Sequence, residues 1–140
     1  RQRLRMTKQE VRDEQKELEG DPEIKARVRQ IQRQRARIRM LRDVAKADVV
    51  IRNPTERAVA LKYDPEVDIA PIVLAMGERK LALKIIEIAQ KHRVPMVENK
   101  VLAKALLATA KVGQPIPVDL YVAVAEVLSE VYRRSGKRLI

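Results

Sequence analysis

One peptide bond in this 140-residue chain is chemically loaded, the bond between Asn53 and Pro54. An asparagine amide lies close to the backbone carbonyl of its own residue. Usually the backbone nitrogen of the next residue attacks the Asn side chain, and the outcome is deamidation. Proline has no N–H, so that route is closed. What remains is attack by the Asn53 side-chain nitrogen on the Asn53 carbonyl carbon. The products are a C-terminal succinimide and a new N-terminal Pro54. This is single-turnover chemistry, and its rate depends on how the turn orients the amide. A strained turn, or donors to the carbonyl oxygen, would assist it. Asn-Pro also opens ordinary inert turns, so the pair does not decide the matter alone.

Other chemistries find little support. There is no cysteine, which excludes disulfides and thiolate metal sites. His92 is the only histidine and has no ligand set near it in sequence. Its place near a helix C-terminus fits a complement to the helix dipole. Four glycines form no phosphate-binding loop, and Ser129 and Ser135 have no neighbours for a triad. No cofactor, no metal and no multiple-turnover activity are expected.

Net charge is +11. The first 53 residues hold 16 Lys/Arg against 9 Asp/Glu, and the remaining 87 hold 14 against 10. The excess is thus concentrated in the shorter part. Between Ile24 and Arg42 there are eight basic residues and no acidic one. Such a stretch is either a solvated helical face or a site for a polyanion. Aromatics are only 2%, so stacking platforms for single-stranded nucleic acid are missing, and no specific nucleic acid is expected. No apolar run is long enough to span a membrane. The chain opens on Arg1 rather than Met, which fits a piece of something longer.

The elements that must position Asn53 follow from the pattern. Residues 6–19 read as a charged helix. Gly20-Asp21-Pro22 punctuates it, with Asp21 as N-cap and Pro22 in the first turn of the next helix. Ile24, Val28, Ile31, Ile38 and Leu41 form a narrow apolar stripe on that second helix. Val49-Val50-Ile51-Arg52 is a β-branched strand running into Asn53-Pro54, and residues 57–63 are a second strand. Residues 71–76 are a third, closed by Gly77. Residues 78–93 form an amphipathic helix. Residues 94–98 are a fourth strand, whose proline marks an edge or a first residue. Asn99 caps a helix over 100–110, stopped by Gly113, and a last helix spans about 118–134. The expected fold is α/β: a small four-stranded sheet packed with about three helices, preceded by a long basic helical arm. The expected divisions are an arm over 1–45, a compact domain over 46–134 and a flexible tail over 135–140. The third strand, helix and fourth strand are expected to form a right-handed crossover unit, which would make those two strands parallel.

The stretch Lys46-Ala47-Asp48-Val49-Val50-Ile51-Arg52-Asn53-Pro54-Thr55 resembles the self-cleavage segment of the FlhB/YscU family of type III export proteins. So do Ala58-Val59-Ala60-Leu61-Lys62-Tyr63-Asp64, Val94-Pro95-Met96-Val97-Glu98-Asn99 and Gly113-Gln114-Pro115-Ile116-Pro117. Met6-Thr7-Lys8-Gln9-Glu10-Val11 and Glu19-Gly20-Asp21-Pro22 resemble the flagellar branch. The resemblance covers nearly the whole chain. It implies the C-terminal cytoplasmic domain of a protein embedded in the bacterial inner membrane, at the base of the flagellum. It implies a switch of export from rod and hook subunits to filament-type subunits. The implied partners are the export-gate membrane protein FlhA, the hook-length control protein, rod and hook export substrates and the cytoplasmic export ATPase complex. The implied site is Asn53, Pro54, Thr55 and the residue after them. The family carries histidine there; this chain carries Glu56. A carboxylate accepts a proton but is a weaker base than imidazole. Two other functions compete with the self-cleaving switch. One is an uncleaved docking domain of the same apparatus, and the other is a nucleic-acid-binding module using the basic arm.

Overall fold

The computed structural model describes residues 7–136, and the expected tail residues 137–140 lie outside them. The chain divides into two units, Arg1–Ile38 and Arg39–Ile140. In the first, α1 (Lys8–Gly20) is capped by Thr7, whose Oγ1 accepts the Glu10 N–H at 3.0 Å. Helix α2 (Pro22–Asp43) starts where the sequence places it: Asp21 Oδ1 accepts the N–H of Glu23 at 2.8 Å. The apolar stripe is solvent-facing at Ile24, Val28, Ile31 and Ile38. No helix among the described residues is long and apolar enough to cross a membrane.

The second unit is built on a four-stranded sheet. Its strands are β1 (Val49–Asn53), β2 (Arg57–Lys62), β3 (Ile72–Glu78) and β4 (Met96–Glu98), in the order β3-β2-β1-β4. β1 and β2 form an antiparallel hairpin with Asn53 opposite Arg57. β2 and β3 are also antiparallel, and β4 lies parallel to β1. Helices α3 (Lys80–Lys91), α4 (Lys100–Thr109) and α5 (Tyr121–Ser135) complete the α/β fold.

Both faces of the sheet are covered, which is why β1 reads as an unbroken β-branched run rather than an alternating one. Val49 and Ile51 point into a core shared with Leu102 and Leu106 of α4 and Val124, Leu128 and Val131 of α5. Val50 points into the opposite core, with Ala82, Ile85 and Ala89 of α3. Val49, Val50 and Ile51 are all fully buried. Each such side chain contributes about 1.5–3 kcal/mol of burial. Val44 is buried in the α3-side core, with Met40 and Leu41 packed against it, so this core draws on residues well before 46.

The third and fourth strands are parallel, as the crossover unit requires, since β1 and β3 both run antiparallel to β2 and β4 runs parallel to β1. They are not neighbours; they stand at opposite edges, with β2 and β1 between them. Helix α3 packs over β3 and β2, and the chain beyond it reaches the far edge, where β4 pairs with β1. One expectation is corrected: Gly77 does not close the third strand. It pairs with Ala58 inside the ladder, and β3 runs on to Glu78. Its reason is steric: a Cβ there would meet the Leu81 side chain at 2.5 Å. With β3 running to Glu78, helix α3 starts at Lys80 rather than at residue 78, and α5 starts at Tyr121 after a single 3-10 turn over Val118–Leu120; two other helix boundaries stand where the sequence puts them. Asn99 Oδ1 accepts the Leu102 N–H at 3.0 Å, and Gly136 (φ 77) ends α5 in the left-handed conformation.

Candidate functional site

Asn53 is the last residue of β1, and Arg57, opposite it, is the first of β2. Pro54, Thr55 and Glu56 make the connection between them. Asn53 and Pro54 are half-buried, while Thr55 and Glu56 are exposed. The Asn53–Pro54 bond therefore sits at the tip of a hairpin whose first strand is anchored in both cores.

The Glu56 N–H donates to the Asn53 carbonyl oxygen at 2.8 Å, closing the turn. This is the carbonyl that an internal amide attack would convert to a tetrahedral centre. A backbone donor on its oxygen is placed where negative charge would develop. The Glu56 carbonyl in turn accepts the Arg79 N–H at 2.8 Å, which fastens the turn to the junction of β3 and α3. Beside it, Arg57 Nε and Glu78 Oε1 lie 4.0 Å apart across the β2–β3 pair. On the other side, the Asn99 N–H donates to the Arg52 carbonyl at 3.0 Å. The peptide before Asn53 is thus held by the cap of α4.

Asn53, Pro54, Thr55 and Glu56 line one open cleft of about 300 Å³, and Lys100 lines it with them. Sequence reading named the first four. It missed Lys100, which reaches the cleft only because β4 pairs with β1 and ends beside the hairpin tip. It also missed the Arg79 amide. An arginine between Glu78 and Lys80 carries no sequence signal for a backbone turn.

His92 is the C-cap of α3 and is exposed. It lines a separate cleft of about 280 Å³ with Asp48, Arg93 and Tyr132. Among the described residues no group of three or more His, Cys, Asp or Glu could hold a metal ion. An apolar groove of about 330 Å³ lies between the loop after β2 and α5, lined by Tyr63, Pro65, Ile69, Pro71, Tyr121 and Leu128.

Comparison with known proteins places this geometry in a family. The chain is 55% identical over 131 residues to the flagellar biosynthetic protein FlhB of Yersinia enterocolitica, covering 94% of this chain and 34% of that protein. It is 47% identical over 134 residues to FlhB of Bacillus subtilis, covering 96% and 37%. The chain thus spans little more than a third of the length of these relatives. Among solved structures, the cytoplasmic domain of FlhB from Shewanella putrefaciens superposes with a TM-score of 0.66 at 38% identity, covering 73% of this chain and 82% of that one. An EscU C-terminal domain superposes with a TM-score of 0.63 at 28% identity, covering 66% and 98%. The sequence model of the FlhB HrpN YscU SpaS family matches residues 1–131, and the chain belongs to that family.

Proposed function

We propose that this chain is the cytoplasmic switch domain of a flagellar type III export apparatus, and that it cuts itself once between Asn53 and Pro54. The observation that carries the reading is the Glu56 N–H on the Asn53 carbonyl oxygen, at the tip of a hairpin rooted in two cores. Attack by the Asn53 Nδ2 on the Asn53 carbonyl carbon forms the ring C–N bond. The tetrahedral oxyanion is met by the Glu56 N–H. Collapse breaks the bond to the Pro54 nitrogen, which leaves with the proton given up by the amide. Asn53 ends as a succinimide and Pro54 as a free secondary amine. Support also comes from solved relatives. EscU C-terminal domains have been crystallised with an asparagine changed to Ala or Asp, and with the proline next to it in number changed to Ala.

Glu56 stands where the family carries histidine. Its backbone N–H serves the carbonyl whatever its side chain, so the substitution leaves the donor in place. The carboxylate is available to receive the amide proton, less readily than imidazole. Thr55 is exposed at the tip of the turn.

Cutting at this bond gives pieces 1–53 and 54–140 that share one sheet. The hairpin tip loses its covalent link while β1 stays between β2 and β4. In the intact apparatus, the parent protein sits in the inner membrane with this domain on its cytoplasmic side. Its partners there are FlhA, the hook-length control protein, rod and hook substrates and the export ATPase complex. Rearrangement of the freed tip would change which of them docks. The test is intact mass of freshly purified protein, repeated after days at neutral pH. Two fragments with Pro54 as a new N-terminus are the expected result. A single 16.1 kDa species throughout would favour the uncleaved docking domain instead.

A further inference from the structure

Two residues other than glycine hold positive φ among the described residues, Arg79 (φ 56) and Arg93 (φ 57). Arg79 breaks two local rules at once. It is the N-cap of α3, a position that favours Ser, Thr, Asp or Asn, and its side chain makes no capping bond. Its ψ of −121 with this φ is the first central position of a type II′ turn, where glycine sits without strain. The Arg79 side chain is exposed and the residue gains no burial in return. Such outliers persist only where the surroundings hold them, and they concentrate at functional sites.

The surroundings here are specific. Gly77 lets Leu81 close in on β3, which makes the strand-to-helix junction tight. The pairing of Arg57 with Glu78 brings the next residue, Arg79, beside Glu56. The Leu83 N–H then takes the Arg79 carbonyl at 3.0 Å, starting α3. The strained residue ends with its own N–H aimed at the Glu56 carbonyl, 2.8 Å away, and at nothing in its own helix.

We propose that Arg79 is a positioning residue for cleavage at Asn53-Pro54. Its backbone braces Glu56, and Glu56 holds the Asn53 carbonyl in the geometry that reacts. This rests on the self-cleavage reading. The backbone acts and the guanidinium does not. Because an L side chain disfavours these dihedrals, strain works against the brace and loosens the turn. Glycine at 79 takes the same dihedrals freely, so the brace stays closed for a larger fraction of the time and cutting is faster.

The experiment uses the full 140-residue chain, with cutting followed by intact mass well below the unfolding temperature. Arg79→Gly is expected to cut about three- to tenfold faster than the unsubstituted chain. Arg93→Gly relieves the same kind of strain away from the hairpin, and is expected to raise Tm while the rate stays as it was. An equal acceleration by Arg93→Gly would assign the gain to general stability and overturn the proposal. So would an acceleration by Arg79→Ala as large as that of Arg79→Gly, since alanine removes the charge but keeps the strain. The brace is read separately by amide hydrogen exchange in an Asn53→Ala background, where no cut occurs. Adding Arg79→Gly there is expected to slow exchange at the amides of residues 56 and 79. Unchanged exchange at both overturns the brace. A cut at one common rate in all chains sinks this proposal alone, whereas no cut in any chain sinks the self-cleavage reading as well.

Discussion

The amide N–H of Glu56 points at the carbonyl oxygen of Asn53 from 2.8 Å, across a turn that also contains the Asn53–Pro54 bond. The donor belongs to the backbone, so side-chain changes at 56 leave it in place and only proline removes it. Glu56→Pro is therefore expected to slow cutting by about 10²–10³, the usual loss when one oxyanion donor is deleted. Glu56→His keeps the donor and supplies a stronger base, and is expected to cut faster than the unsubstituted chain. Time courses of intact mass on both variants, each with a thermal melt to verify folding, decide this. A Glu56→Pro chain that folds and cuts at full rate would remove the donor from the mechanism.

The proposed cut takes its nucleophile from Asn53, so Asn53→Ala is expected to leave a single 16.1 kDa species after any incubation that cuts the parent chain. Pro54→Ala restores an N–H after Asn53 and reopens the deamidation route. Its expected signature is a one-dalton mass gain without a change in chain length. Mass spectrometry of the two variants side by side reads both outcomes.

The cut pieces should stay together. Strand β1 ends at Asn53, pairs with both β2 and β4, and buries Val49, Val50 and Ile51 completely. Native gel filtration is expected to give one peak containing both fragments, and denaturant should separate them. Ile51→Ala leaves a cavity beside α4 and α5 and should cost about 2–5 kcal/mol. In the cut protein that loss should lower the denaturant concentration at which the fragments part.

Asp68 shapes the loop after β2, beside the apolar groove. Its carboxylate accepts the Asp64 N–H at 2.8 Å and pairs with Lys62 at 3.2 Å. The Asp64 bond holds its carboxyl below the usual range, against the opposing effect of burial and with help from Lys62. A depressed value means that the stabilisation is present above the ordinary carboxylate range and is lost as pH falls through the folded value. Asp68→Asn should lower stability at neutral pH by about 1 kcal/mol and flatten the acid limb of the melting curve. Thermal melts from neutral to acid pH compare the two chains.

Tyr132 provides the alkaline counterpart. Burial first, and the Asp48 carboxylate after it, push its phenol up to about 12. Its hydroxyl donates to the Tyr63 carbonyl at 3.4 Å. A raised value means stability that is intact below the ordinary phenol range and lost as pH rises through about 12. Tyr132→Phe should melt with less dependence on pH over that alkaline window, which a pH series of melts would register.

Short-range signals along the chain set the local pieces of this protein. The β-branched run before Asn53 had to be a strand, the missing N–H of Pro54 fixed which attack is open, and Asp21 and Asn99 marked helix starts that the structure keeps. These are legible because caps, turns and periodicity act within a few residues. The partners of the site were decided by tertiary structure. The crossover through α3 makes β3 and β4 parallel without fixing where β4 lies, and it lies against β1. That single choice brings the Asn99 N–H to Arg52 and Lys100 to the cleft. The bond from Arg79 to Glu56 likewise needs the β2–β3 register and a backbone conformation that arginine does not announce. Strand order and strained dihedrals depend on how the whole chain buries its two cores, and residue types along a short window carry no record of that.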